Sequence, residues 1–200
     1  MTPDLLAAAL EISGAASSDF DLNPDVVLPR GRILRDAAVL VPFVETDSGL
    51  RLLLTKRSSR LRHHPGQIAF PGGKLEEGET AEQAALREAR EEVGLPEHRT
   101  RILGQLPSHE TVTGFTVTPV LAVLPPFDAV PEAGEVEEVF TVPADHVLSP
   151  SHFAIERRRW RGQWRSYYAV PYGPYYIWGA TARILRGLAG RTGQDGAGNG

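Results

Sequence analysis

The chain contains no cysteine, which excludes disulfides, thiolate metal sites and a cysteine nucleophile, so any metal chemistry falls to oxygen or histidine ligands. No apolar run is long enough to span a bilayer, and the opening "MTPDLLAAALEISGA" has no basic stretch and carries Asp4 and Glu11 around its apolar residues. It therefore makes a poor export signal, and cytoplasmic residence follows as the expectation by elimination. There is no basic excess either: the formal net charge is -4. That charge supplies no overall field for holding nucleic acid or an anionic membrane surface, so an anionic ligand must be bound by local features.

What is present suits one globular unit. Two hundred residues with 42% hydrophobic content can bury a sizeable single core. Asp4 to Ile12 reads as a short helix, followed by a polar, proline-bearing connector up to residue 35 that packs on the same domain. "AAVLVPFV" and "RLLLTKR", separated by "ETDSG", read as two strands of a hairpin. "RILGQL", "GFTVTPVLAVL" and "EVEEVFTVP" read as further strands. "HFAIERRRWRGQWRSYYAVPYG" reads as two strands around Gly162, and "YYIWGATARILRGLAG" as a closing amphipathic helix. The folded domain is expected over residues 36–190, with a disordered tail over 191–200. Strands interleaved with helices predict an α+β protein, a mixed sheet covered by helices.

The most informative stretch is "FPGGKLEEGETAEQAALREAREEVGL". Seven glutamates stand there against Lys74, Arg87 and Arg90. On a helix Glu88 and Glu92 fall about 40° apart around the axis and about 6 Å along it, with Glu91 beside them. Such like charges weaken an isolated helix by roughly 0.2–0.5 kcal/mol per pair, and at i+4 Arg87 reaches only Glu91. A solvated helix face is the plain reading of such a run. "FPGGK" argues against it, because a glycine turn leaves main-chain oxygen unshielded beside the carboxylates, which suits a hard cation. Magnesium takes one or two carboxylates, waters and phosphate oxygens, so the pattern points to phosphate chemistry.

These residues resemble the Nudix box. Gly73, five residues, Glu79, seven residues, then Arg87, Glu88, Ala89, Arg90, Glu91, Glu92, Val93, Gly94 and Leu95 reproduce its fixed positions, with Ala89 smaller than the usual aliphatic residue. The resemblance implies the Nudix fold, an α/β/α sandwich, and hydrolysis of a nucleoside diphosphate linked to another group. It implies that Mg2+ or Mn2+ is held by Glu88 and Glu92, with Glu91 a further ligand or the base and Gly72 a carbonyl ligand, while Glu79 and Arg87 pair. Glu91 is the first choice of base; Glu135 and Glu138 are reserves. Glu76, Glu77 and Glu82 match no fixed position and read as solvated.

Upstream, "LLTKRSSRLRHHPGQIAFPGG" resembles the pattern of the coenzyme A pyrophosphatase branch of that family, carried by Leu53, Leu54, Thr55, Arg57, Ser58, Arg62, Gly66 and Phe70 to Gly73. The resemblance implies cleavage of coenzyme A to 4'-phosphopantetheine and adenosine 3',5'-bisphosphate. Arg57, Ser58, Arg62, Gly66 and Gln67 are the candidate substrate contacts. Arg57 and Arg62 suit the additional 3'-phosphate or the adenosine end, because a guanidinium donates bidentately and keeps its charge. His63 and His64 read as polar surface. Alternatives are a relative acting on ADP-ribose or NADH-type dinucleotides, and a non-catalytic nucleotide-binding module.

"ERRRWRGQWRSYY" holds five arginines among two tryptophans and two tyrosines, a composition that also fits a single-strand RNA reader. Strand alternation with arginines wet and aromatics in the core is the favoured reading. An aromatic stacked on the substrate's adenine is the intermediate one. Trp178 and Tyr176 read as core or interface residues, and His109 lacks an evident partner.

Overall fold

The computed structural model describes residues 1–29, 31–160 and 162–193. In chain order the elements are α1 (Pro3–Glu11), β1 (Ser17–Ser18), β2 (Arg35–Thr46), β3 (Gly49–Arg57), β4 (Ile68–Ala69), β5 (Gly72–Lys74), α2 (Ala81–Val93), β6 (Arg101–Gln105), β7 (His109–Glu110), β8 (Phe115–Leu124), β9 (Val136–Pro143), α3 (Ala144–Val147), β10 (Ala154–Trp160), β11 (Gln163–Ala169) and α4 (Ala180–Arg191).

The main sheet runs β1-β7-β8-β2-β3-β4, with β5 on β2, β6 on β8 and β9 on β3. It is mixed: β2 lies parallel to β8 and antiparallel to β3. Both of its faces are covered, which is why β2 and β8 read as nearly continuous apolar runs. Alternation then assigns each residue to a layer. Ala38, Leu40, Val44, Leu53, Val120 and Ala122 meet Ala84, Ala85, Ala89 and Val93 of α2. Val41, Phe43, Leu52, Leu54 and Leu121 face the opposite way, toward Leu6 of α1, Val147 of α3 and Leu185 of α4. The result is the expected α/β/α arrangement. The small side chains of α2, Ala89 included, let its backbone lie close to the sheet.

The start of α2 is fixed by Thr80, which caps it reciprocally with Gln83, and its end by Gly94 in the left-handed conformation at φ 67°. The amino-terminal connector is tied to the sheet where β1 runs parallel to β7, pairing Ser17 with His109.

Three expectations are corrected. "GGK" is a strand, paired antiparallel with Ala37 to Val39 of β2. A Cβ on Gly72 would lie 2.4 Å from the Ala38 carbonyl oxygen, so the glycine serves close backbone approach as well as the bend. Tyr175 to Trp178 lie outside the closing helix: Trp178 bridges to Ala169, and the helix begins only after Gly179, at φ 65°. Arg191, expected to open a disordered tail over 191–200, instead still belongs to α4; residues 194–200 lie outside the described residues.

Candidate active site

The amino-terminal edge of the site is the glycine strand. The carboxylate of Glu88 rests against Gly73 so closely that a Cβ there would lie 2.3 Å from Glu88 Oε1. One turn further along α2, Glu92 is 5% exposed. Burial, and after it the negative charge of Glu88, pushes the Glu92 carboxyl up to about 8. Arg57 and a backbone N–H of Gly72 pull the other way, and Glu135 adds to the upward push. Carboxylates thus outnumber the neighbouring cation, and the pocket is short of positive charge. A divalent ion would supply what is missing.

Among the described residues no three His, Asp or Glu side chains converge into a ready cage. An ion would therefore rest on Glu88 and Glu92 and complete its shell with main-chain, water and substrate oxygens, the habit of magnesium. Glu91 is half exposed and lies 3.5 Å from Arg87 and 3.8 Å from Arg90.

Arg87 has more partners than helix spacing alone allows. Its Nε and Nη2 donate to the two oxygens of Glu79 at 2.9 and 3.0 Å, Nη1 donates to Glu88 at 3.0 Å, and Nη2 also donates to the Lys74 carbonyl at 3.1 Å. The loop before α2 brings Glu79 back over the helix, so a partner eight residues away outranks the i+4 neighbour. Glu79 holds the Arg87 guanidinium above its ordinary range, and Arg87 holds the Glu79 carboxyl below its own. This fork fixes the glycine strand, the loop and the carboxylate of Glu88 together. Arg87→Lys keeps the charge but loses the fork; it is expected to cut turnover about tenfold or more and to cost about 1–2 kcal/mol of stability, checked by steady-state rates and thermal melting.

Arg57 stands where the pairing of β3 with β9 shifts by one residue, between Lys56 and Arg57. Such a bulge re-aims side chains. The adjoining segment is zipped to the start of β9 and the residue before it. Ser58 N donates to the Glu135 carbonyl at 2.7 Å, Ser59 N to Glu137 Oε2 at 3.2 Å, and Lys56 Nζ to Glu137 at 2.6 Å. Ser58 is buried and anchors this joint, which holds Glu135 near Glu92. Glu138 is directed elsewhere, accepting a hydrogen bond from the Tyr175 hydroxyl.

Arg57, Gly66 and Gln67 open onto a cleft of ≈ 660 Å³, closed on its other sides by Thr111, Thr113, Arg158, Arg165, Tyr167 and Trp178. Gln67 and Gly66 are fastened to Arg57 through its own N–H and carbonyl, at 2.9 and 3.1 Å. Arg62 sits on the exposed part of this loop and does not line the cleft.

The hairpin of β10 and β11 bears out the expected sorting only in part: Arg157, Arg158 and Arg159 are exposed and Tyr167 and Tyr168 partly buried, but both faces mix arginines with aromatics. Arg158 and Arg165 line the cleft, while Trp164 is 62% exposed with Arg157 above its ring. Alternation separates two faces but does not say which one meets protein. Arg161 lies outside the described residues. Trp178 is half-buried and borders the cleft, whereas Tyr176 is exposed. His109 gains its partners from the amino-terminal connector: Ser17 Oγ lies 2.9 Å from Nδ1 and Asp19 Oδ1 3.1 Å from Nε2. No local signal could have revealed them, 90 and more residues away in sequence.

Among the described residues no helix is long and apolar enough to cross a membrane. A model of the NUDIX domain matches residues 34–164. A protein described as "Uncharacterized Nudix hydrolase NudL" from Enterobacter sp. (strain 638) is 43% identical over 184 residues, 84% of this chain and 94% of that one. A relative of the same description from Escherichia coli O7:K1 (strain IAI39 / ExPEC) is 41% identical over 159 residues, 78% of this chain and 81% of its own. Among solved structures, the Nudix hydrolase RenU from M. Smegmatis superposes with a TM-score of 0.50 at 29% identity, covering 68% of this chain and 83% of that one. With the acidic helix seated on its glycine strand inside the matched segment, the chain belongs to the Nudix family of hydrolases.

Proposed function

We propose that the protein hydrolyses the pyrophosphate bond of coenzyme A and its derivatives, releasing 4'-phosphopantetheine and adenosine 3',5'-bisphosphate. One observation carries this reading. The uninterrupted pattern from Leu53 to Gly73 joins the cleft-facing Arg57, Gly66 and Gln67 directly to the glycine strand beneath Glu88 and Glu92.

Glu88 and Glu92, with the Gly72 carbonyl, would hold a Mg2+ or Mn2+ ion, Glu91 serving as a further ligand or as the base. The ion's contribution when bound is Lewis-acid neutralisation of the pyrophosphate charge. The chain's own groups do the rest. Arg57 sets positive charge between the acidic pocket and the cleft, where it meets a phosphate oxygen. Glu91, accessible on the helix surface, takes a proton from the attacking water; Glu135 is the second carboxylate within reach of the Glu92 pocket. Water oxygen bonds to one phosphorus, the bridging P–O bond breaks, and its electron pair leaves on the second phosphate. Arg87 and Glu79 position Glu88 and the glycine strand and touch no reacting atom.

Incubating the pure protein with coenzyme A, with magnesium and with chelator, and identifying products by mass tests this directly. Two products in equal amounts, abolished by chelator, are expected. Faster turnover of ADP-ribose or NADH would reassign the substrate, and nucleotide binding without metal-stimulated product would make the protein a non-catalytic module.

A further inference from the structure

We propose that the amino-terminal connector from Ser17 to Asn23 is a strap that sets the width of the substrate cleft, and that His109 and Asn23 are positioning residues acting through it on substrate specificity. This deepens, and rests on, the reading of the substrate as a nucleoside diphosphate derivative whose non-phosphate part enters that cleft.

The strap precedes the Nudix segment of the chain, yet each of its anchors falls on or beside a wall of the cleft. Three separate pieces of chain make those walls: the turn between β7 and β8 with Thr111 and Thr113, the β10–β11 hairpin with Ser166, and the start of α4 with Ile184. The hairpin is a sheet of its own. Because it joins no ladder of the main sheet, its distance from the turn depends on other ties.

Asp19 holds the turn. Its Oδ2 accepts from Val112 N at 2.8 Å, and its Oδ1 meets His109 Nε2 at 3.1 Å. His109 is fully buried, with Ser17 Oγ 2.9 Å from its Nδ1. A carboxylate only accepts, so the neutral imidazole carries its proton on Nε2 and leaves Nδ1 to accept from the Ser17 hydroxyl. The backbone doubles this tie: Ser17 N donates to the Ser108 carbonyl and Asp19 N to the Glu110 carbonyl, both at 2.9 Å. Asn23 holds the hairpin. Its Nδ2 donates to the Ser166 carbonyl at 2.9 Å and its Oδ1 accepts from Ser166 N at 2.8 Å, as a neighbouring strand would. Between these anchors Asp21 accepts from Arg183 of α4 through Nε at 2.8 Å and Nη2 at 2.7 Å, next to Ile184. Four residues of chain reach at most about 14 Å, and the bond from Asn23 N to the Phe20 carbonyl at 2.8 Å draws them in further. The strap therefore limits how far hairpin and turn can separate.

The test is steady-state kinetics on coenzyme A, ADP-ribose and NADH with magnesium, beside calorimetric binding of the same three in chelator. Asn23→Asp, which sets an acceptor against the Ser166 carbonyl, and Asp19→Ala are each expected to raise KM for the best substrate about tenfold, with kcat within about twofold. Kd in chelator should rise by a similar factor. Asp19→Asn should restore both constants, since its amide can donate to His109 Nε2 in the other tautomer while its oxygen still accepts from Val112 N. Asp25→Asn, an exposed change two residues past the strap, should alter neither. Should Asp19→Ala fail to fold, Asn23→Asp decides alone. Unchanged KM and Kd in Asn23→Asp would overturn the strap, and so would a loss in Asp19→Asn equal to that in Asp19→Ala, because Asp19 would then act by its charge. The expected shifts on ADP-ribose or NADH with coenzyme A inert would sink the coenzyme A assignment alone. Turnover of coenzyme A with constants unmoved in the variants would sink the strap alone.

Discussion

Glu92→Gln is expected to abolish most turnover, by about 10³-fold, while making the metal-free protein more stable at alkaline pH. The loss corresponds to roughly 4 kcal/mol of transition-state stabilisation, reasonable for removing a carboxylate proposed to hold a divalent ion. The gain follows from linkage. Glu92 titrates near 8 in the fold against 4.5 when unperturbed, so the folded state holds its proton more tightly than the unfolded chain. The metal-free fold therefore has its full stability below pH 4.5, loses it progressively as pH rises, and bears the whole penalty above pH 8. For a group this deeply buried the penalty is on the order of a few kcal/mol. Glutamine has no such ionisation. In chelator the melting temperatures of variant and wild type should coincide near pH 4.5 and diverge by about 5–10 °C at pH 9 in the variant's favour. Excess magnesium should erase the difference by stabilising wild type alone. Coincident melting curves at pH 9 in chelator would mean that Glu92 carries no such burden.

Gly73→Ala is expected to lower turnover about 100-fold with little change in folding. The new methyl would fall 2.3 Å from Glu88 Oε1 and 2.5 Å from its Cδ. Both atoms belong to the far end of a flexible side chain, so Glu88 swings away and the sheet stays as it is. Its carboxylate then leaves the position facing Glu92. Gly72→Ala is the contrasting case. Its Cβ would meet the Ala38 carbonyl oxygen at 2.4 Å and Val39 Cα at 2.6 Å, which are backbone atoms of β2 and cannot step aside. That substitution should destabilise the protein by about 1–3 kcal/mol. Steady-state rates beside denaturant melts separate the two glycines: the first serves Glu88, the second serves strand packing.

The fold was legible wherever periodicity and spacing are local properties. The apolar runs of β2, β3 and β8 and the capped, small-residue face of α2 announce a sheet buried on both sides. The acidic helix was legible for a different reason: its fixed spacing places Glu88 and Glu92 on one face by helix geometry alone. Less legible was everything decided by chain segments meeting at a distance. The short strand at Gly72 hides inside what reads as a turn, because its pairing depends on β2. Arg87 reaches Glu79 only through the loop's return, and His109 finds Ser17 and Asp19 only once the connector crosses the sheet. The β10–β11 hairpin shows the same limit. Two faces follow from alternation, but that Arg158 and Arg165 are the pair lining the cleft does not.

Manganese binding by electron paramagnetic resonance, on wild type, Glu92→Gln and Gly73→Ala, examines the acidic clamp most directly, since Mn2+ reports its own occupancy without any substrate. A single class of tight site in wild type, weakened about 30-fold or more in both variants, is the result expected if Glu88 and Glu92 hold the ion against the glycine strand. Unchanged Mn2+ affinity in both variants would contradict that arrangement.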